Sequence, residues 1–104
     1  MANIYKIEDI DIEEFIGYHN TKKVILYYKQ DCVFCKMQID DLDRFASTYK
    51  DNIEYAICDI KGKSKFCVSN GIDAYPTIQI YDDGKLIKQF DAYHSYDELV
   101  KEIL

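Results

Sequence analysis

Between Lys22 and Tyr49 the sequence changes its hydrophobic period once, and two cysteines stand at the change. Lys22 to Tyr28 reads as a strand in which Val24 through Tyr28 are all apolar or aromatic, the pattern of an inner strand buried on both faces. From Cys35 onward apolar residues recur at Ile39, Leu42, Ala46 and Tyr49, one stripe of a helix over Cys32–Tyr49. Asp31-Cys32-Val33-Phe34-Cys35-Lys36 is therefore where strand hands over to helix. Cys32 falls at the open end, where unpaired backbone N–H groups and the macrodipole favour a negative sulfur. Cys35 starts the buried stripe. Because the thiolate is the nucleophile of disulfide exchange, Cys32 is the expected attacking thiol and Cys35 the shielded thiol that resolves a mixed disulfide. Two unreactive cysteines, or half of a metal site, are the competing readings of such a pair; its strand–turn–helix setting favours redox chemistry.

The bulk properties narrow the field further. A chain of 104 residues suits one domain, 1–104, with one core. A net charge of −6 without a Lys/Arg surplus argues against nucleic acid. No apolar run approaches the roughly 18 residues of a membrane span, so no membrane partner is expected. Met1-Ala2-Asn3-Ile4-Tyr5-Lys6 lacks the charged start and apolar core of a signal peptide, and a cytoplasmic location and a monomer are expected. In such a compartment a Cys-x-x-Cys pair is more often catalytic than structural. The ten tyrosines sit largely in strand-like runs and read as scaffold.

Taken in order, residues 3–7 suit a short strand, and Asp9 or Asp11 is placed to cap a helix carrying Ile12, Phe15 and Ile16 that ends near Gly17-Tyr18. Ile53–Ile60 is a second inner strand. A loop with Gly62 leads to a short helix around Ser64–Asn70, with Gly71 as its left-handed C-terminal residue. Pro76, the only proline, precedes a strand over Thr77–Tyr81; Asp83-Gly84 then signals a hairpin into Leu86–Phe90. Ser95-Tyr96-Asp97-Glu98 is a capping box opening a last helix with Tyr96, Leu99, Val100 and Ile103 on one face. The order β-α-β-α-β-α-β-β-α implies an α/β fold, a central mixed β-sheet with helices on both faces.

With Cys32-x-x-Cys35 after a buried strand, Gly71-Ile72-x-x-Tyr75-Pro76-Thr77 some forty residues later, and a strand–Asp83-Gly84–strand hairpin before a terminal helix, the chain resembles the thioredoxin family nearly end to end. The resemblance implies a thioredoxin-like fold and a cis proline at Pro76 lying against the active-site sulfurs. It implies that the backbone of Tyr75 pairs with an extended substrate segment and that the Asp91-Ala92-Tyr93 loop flanks the groove, with Phe34, Tyr75 and Tyr93 as an aromatic lining. Phe34, Tyr75, Pro76, Ala92 and Tyr93 are thus the expected substrate-binding residues. Two departures stand out. The family's usual Trp-Cys-Gly-Pro-Cys is Asp31-Cys32-Val33-Phe34-Cys35 here, where the acidic Asp31 opposes the thiolate while Lys36 and Lys29 favour it. The family's buried aspartate six positions before the first cysteine is Leu26, and its companion lysine is Ile57.

Cys58 and Cys67 read as core thiols, with a second disulfide as the alternative. A zinc site written C-x2-C-x22-C-x8-C has too wide a second pair for a zinc ribbon, and no metal is expected. His19 reads as solvated and His94 as polar surface. The function expected is a thiol–disulfide oxidoreductase that reduces protein disulfides through Cys32 and Cys35. It needs no bound cofactor beyond the redox-active Cys32–Cys35 disulfide, and the resemblance implies a flavoprotein thioredoxin reductase as the electron donor, with glutathione as the alternative. A thioredoxin-fold binding module with redox-silent cysteines, and an oxidising or glutathione-linked exchanger, are the other function classes.

Overall fold

The computed structural model describes residues 3–17 and 21–104. It comprises strand β1 (Ile4–Ile7), a single 3-10 turn (Asp9–Asp11), helix α1 (Ile12–Ile16), β2 (Lys22–Tyr28), α2 (Val33–Thr48), β3 (Ile53–Asp59), α3 (Lys65–Ser69), β4 (Thr77–Asp82), β5 (Lys85–Asp91) and α4 (Tyr96–Ile103). The strands form one sheet in the order β1-β3-β2-β4-β5. β3 lies parallel to both β1 and β2, while β4 runs antiparallel to β2 and β5. The unbroken apolar run of β2 is explained by its central place, where Val24 through Tyr27 are all inaccessible to solvent.

Strand alternation divides the interior into two layers. Val24 and Leu26 of β2 point into one layer with Leu42 and Phe45 of α2 and Leu99 of α4. Ile25 and Tyr27 point into the other, which holds Ile12 of α1, Cys58 of β3 and Cys67 of α3. In the second layer a buried glutamine, Gln79, stands on the central β4. Its Oε1 accepts from the hydroxyls of Tyr27 at 2.9 Å and Tyr81 at 2.8 Å, and its Nε2 donates to Gln89 at 2.8 Å. Every polar atom of that side chain has a partner, which is what a dry interior requires.

Local signals for the turns act where the chain carries them. Asp83 and Gly84 both have positive φ, at 53° and 78°, as a two-residue hairpin with the right-handed strand twist demands. Ser95 Oγ accepts from Glu98 N–H, and Glu98 Oε1 accepts from Ser95 N–H, closing the capping box and holding the Glu98 carboxyl below its usual range. Gly71 takes φ 70° while Ile72 N–H returns to Cys67 O at 2.8 Å, closing α3. The N-terminal aspartates behave differently from the expected caps. Asp11, the N-cap of α1, makes no side-chain cap; it instead turns its carboxylate back to Glu8 N–H at 3.2 Å, because the chain first makes a 3-10 turn. Tyr18 and His19 lie outside the described residues.

Burial pushes the Cys58 thiol from its ordinary value near 9.0 up to about 12, with the Cys67 thiol beside it as the next cause. The folded thiol therefore stays neutral where the unfolded one ionises. Its contribution to stability is complete below about pH 9 and is lost as pH rises toward about 12. Urea unfolding across that window should show wild type losing at most about 1.4 kcal/mol per pH unit more than Cys58→Ala. Parallel profiles for the two proteins would show that Cys58 ionises alike in both states.

Candidate active site around the cysteine pair

The site begins with a backbone event. Asp31 takes a left-handed φ of 58°, which turns the chain out of β2 and into the N-cap position of α2. Cys32 is that N-cap: its Sγ accepts the Cys35 N–H at 3.2 Å, as a serine hydroxyl would at an ordinary cap. The two sulfurs are joined in a disulfide with Cα atoms 5.2 Å apart, well inside the usual range. Cys35 is inaccessible to solvent whereas Cys32 is half-buried, so only one sulfur of the pair is open to an incoming group. An N–H aimed at Cys32 Sγ from the first turn of a helix stabilises negative charge there once the disulfide is reduced.

The peptide bond between Tyr75 and Pro76 is cis, and the Tyr75 carbonyl oxygen lies 4.0 Å from Cys32 Sγ. Phe34, Tyr75, Pro76, Ala92 and Tyr93 together line one groove of about 340 Å³ beside the disulfide. Three distant stretches of sequence meet there: the first turn of α2, the entry to β4 and the loop after β5. Val33 and Phe34 expose 70% and 60% of their surface, which leaves an apolar lip on the open side of the pair.

Tyr75 has a second attachment. Its ring is half-buried against the α1/α3 layer and lies under the Lys29 ammonium, 4.8 Å from the ring centre. Burial, and next the hydrogen bond with Cys67, raise its hydroxyl to about 12. Lys29, read from sequence as support for the Cys32 thiolate, thus has its ammonium over this ring.

Leu26 and Ile57, at the positions of the family's aspartate and lysine, are paired across β2 and β3 and are buried at 0% and 3% exposure. Neither offers a proton acceptor. Cys58 and Cys67 are free thiols buried together in the layer of α1 and α3.

The helix stripe differs from the expected one. The buried residues of α2 are Cys35, Gln38, Leu42, Phe45 and Ala46, with Ile39 and Tyr49 only half-buried. Gln38 is the residue that apolar periodicity passes over. Its side chain is wholly inaccessible, and it takes both backbone groups of His94: His94 N–H donates to Oε1 at 2.7 Å and Nε2 donates to His94 O at 3.0 Å. One turn on, Asp41 accepts from the Tyr93 hydroxyl and raises that hydroxyl's pKa. His94 is half-buried, with its ring 4.5 Å from Phe90 and Nδ1 3.0 Å from Ala92 O. The sequence signal for Gln38 was a polar residue one helical turn after Cys35, on the same face as Leu42.

The Thioredoxin family model matches residues 3–104. This chain belongs to the thioredoxin family. Among curated proteins it is 27% identical over 103 residues to a Schizosaccharomyces pombe protein provisionally named a protein disulfide-isomerase, covering 96% of this chain and 20% of that one. It is 25% identical over 103 residues to Protein disulfide-isomerase A4 of Rattus norvegicus, covering 96% of this chain and 16% of that one. The chain thus spans a fifth or less of the length of these relatives. A solved chain from work on the structural basis of the thiol resolving mechanism in yeast mitochondrial 1-Cys peroxiredoxin via glutathione/thioredoxin systems superposes with a TM-score of 0.83 at 25% identity, covering 96% of this chain and 92% of that one. The chain thus combines thioredoxin-family membership and a disulfide-capable cysteine pair with similarity to protein disulfide-isomerases. Among the described residues, no helix is long and apolar enough to cross a membrane.

Proposed function

We propose that this thioredoxin-family protein reduces protein disulfides by dithiol exchange, with Cys32 as nucleophile and Cys35 as resolving thiol. The observation that carries the reading is the asymmetry of the pair. Cys32 Sγ is the accessible sulfur, receives a helix-terminal N–H and faces the Tyr75 carbonyl, while Cys35 is sealed in the core side of α2. The Cys32 thiolate attacks one sulfur of a substrate disulfide, forming a Cys32–substrate bond and releasing the other substrate sulfur as a thiolate that takes up a proton. Cys35, deprotonated, attacks Cys32 Sγ; the Cys32–Cys35 bond forms, the mixed disulfide breaks and the second substrate thiol leaves. Two electrons pass from the protein to the substrate. An external dithiol or hydride donor returns them, and a flavoprotein reductase is our assignment, with glutathione the alternative. The groove of Phe34, Tyr75, Pro76, Ala92 and Tyr93 is the proposed docking surface for an extended segment, whose backbone pairs with that of Tyr75. With Leu26 and Ile57 apolar, the Cys35 proton leaves through water or the leaving thiolate. A reducing role goes with the cytoplasm as the working compartment.

An oxidising or isomerising role is the second reading, and the kinship to protein disulfide-isomerases favours it. Equilibration with a glutathione redox buffer separates the two. A potential near or below about −250 mV is the expected result for a reductase, whereas about −200 mV or higher would transfer the assignment to oxidation or glutathione-linked exchange. Failure to form the internal disulfide in any buffer would leave a redox-silent binding module.

A further inference from the structure

We infer that Gln38 and Asp41 are positioning residues that set how well a polypeptide disulfide docks, by tying the far wall of the groove to the helix that carries the sulfurs; this rests on the exchange function proposed above. The wall in question is the loop of Ala92 and Tyr93, which lines the groove together with Phe34, Tyr75 and Pro76. Ala92 sits at a left-handed φ of 65°, where a residue with a Cβ needs a reason to stay. The reason lies two residues on. The Gln38 amide engages the N–H and the C=O of His94 together, at 2.7 and 3.0 Å, and so fixes that residue's main chain in both position and rotation.

Because Gln38 is fully buried, its amide has no water to turn to while the loop stays in place. Asp41 adds a second tie through the Tyr93 hydroxyl. Gln38 and Asp41 follow Cys35 on α2 at successive turns, so the groove wall and the disulfide move as one body. Docking of an extended chain needs the wall at a set distance from Cys32. Attack on a small disulfide needs only the sulfur. The ties therefore act on recognition of the polypeptide and leave the reactivity of the pair alone.

The experiment compares two substrates. Insulin supplies a polypeptide disulfide, and hydroxyethyl disulfide a small one that makes no use of a groove. Gln38→Leu is expected to raise KM for insulin about five- to tenfold, the size of a lost buried hydrogen-bond pair, with kcat within about twofold and hydroxyethyl disulfide rates unchanged. Asp41→Ala, at a position nearer the surface, should do the same to a smaller extent of about two- to threefold, and Asp41→Asn, whose amide oxygen still accepts from Tyr93, should restore the wild-type KM. Should Gln38→Leu prove unfolded, the Asp41 pair decides alone. Equal losses on both substrates, or no loss on insulin, would overturn the positioning role while leaving the exchange function intact. Wild-type protein inactive on both disulfides would remove the exchange function and this inference with it.

Discussion

Replacing Cys32 by serine is expected to reduce insulin reduction to the uncatalysed background, a fall of about a thousandfold or more. A hydroxyl at this N-cap still accepts the Cys35 N–H, so the helix start survives and the loss is chemical rather than structural. Cys35→Ser should have the contrasting outcome. Cys32 then still attacks, but nothing displaces the product, and the mixed disulfide with insulin persists on a non-reducing gel until a small thiol is added. The asymmetry follows from exposure, since the buried Cys35 cannot meet a polypeptide disulfide and the half-buried Cys32 can. An adduct trapped by Cys32→Ser and not by Cys35→Ser would reverse the two roles, and undiminished turnover by Cys32→Ser would remove the pair from the chemistry.

Leu26→Asp is expected to cost about 3–5 kcal/mol of folding stability at neutral pH, because it places a carboxylate with no cation beside it in a dry strand. Leu26 has no solvent exposure and faces Ile57 on β3 and Ile78 on β4. For a chain of this size the cost corresponds to a melting temperature lower by roughly 15–30 °C. Burial would raise the folded pKa of the new carboxyl above its unfolded value near about 3.9, so the penalty would be least below about pH 4 and would grow as pH rises. Adding Ile57→Lys to the same chain should recover part of the loss by supplying the missing cation. Melting curves at acidic and neutral pH for the single and double variants read this out. A Leu26→Asp protein as stable as wild type at neutral pH would show that water reaches this position. The expected cost also explains how the apolar pair is self-consistent here: a leucine and an isoleucine pack where a charged pair would have to bear its own desolvation.

Asp31 and Lys29 show where reasoning from sequence neighbours stops. Both stand within three residues of Cys32, and the sequence offers only their sign. The fold gives Asp31 a turn-forming job, at a backbone angle that an aspartate tolerates better than most residues, and seats Lys29 over the ring of Tyr75. Proximity along the chain did not decide that the Lys29 ammonium would lie over a ring.

Several local features are legible in the chain alone. The central strand followed from an unbroken apolar run, and the hairpin followed from Asp83-Gly84. The start of α4 followed from Ser95 and Glu98, and the Cys32 thiol at a helix terminus from the change of period at Cys32–Cys35. Each depends on residues within a turn or two of one another, where steric and hydrogen-bonding preferences act without help from the rest of the chain. Tertiary packing alone buries Gln79 beneath two tyrosine hydroxyls, sets Tyr75 against the layer that holds Cys67, and brings Gln38 to His94 across 56 positions of sequence. A buried polar side chain is stable only when its partners arrive from other elements, and nothing in its immediate neighbours records which element will bring them.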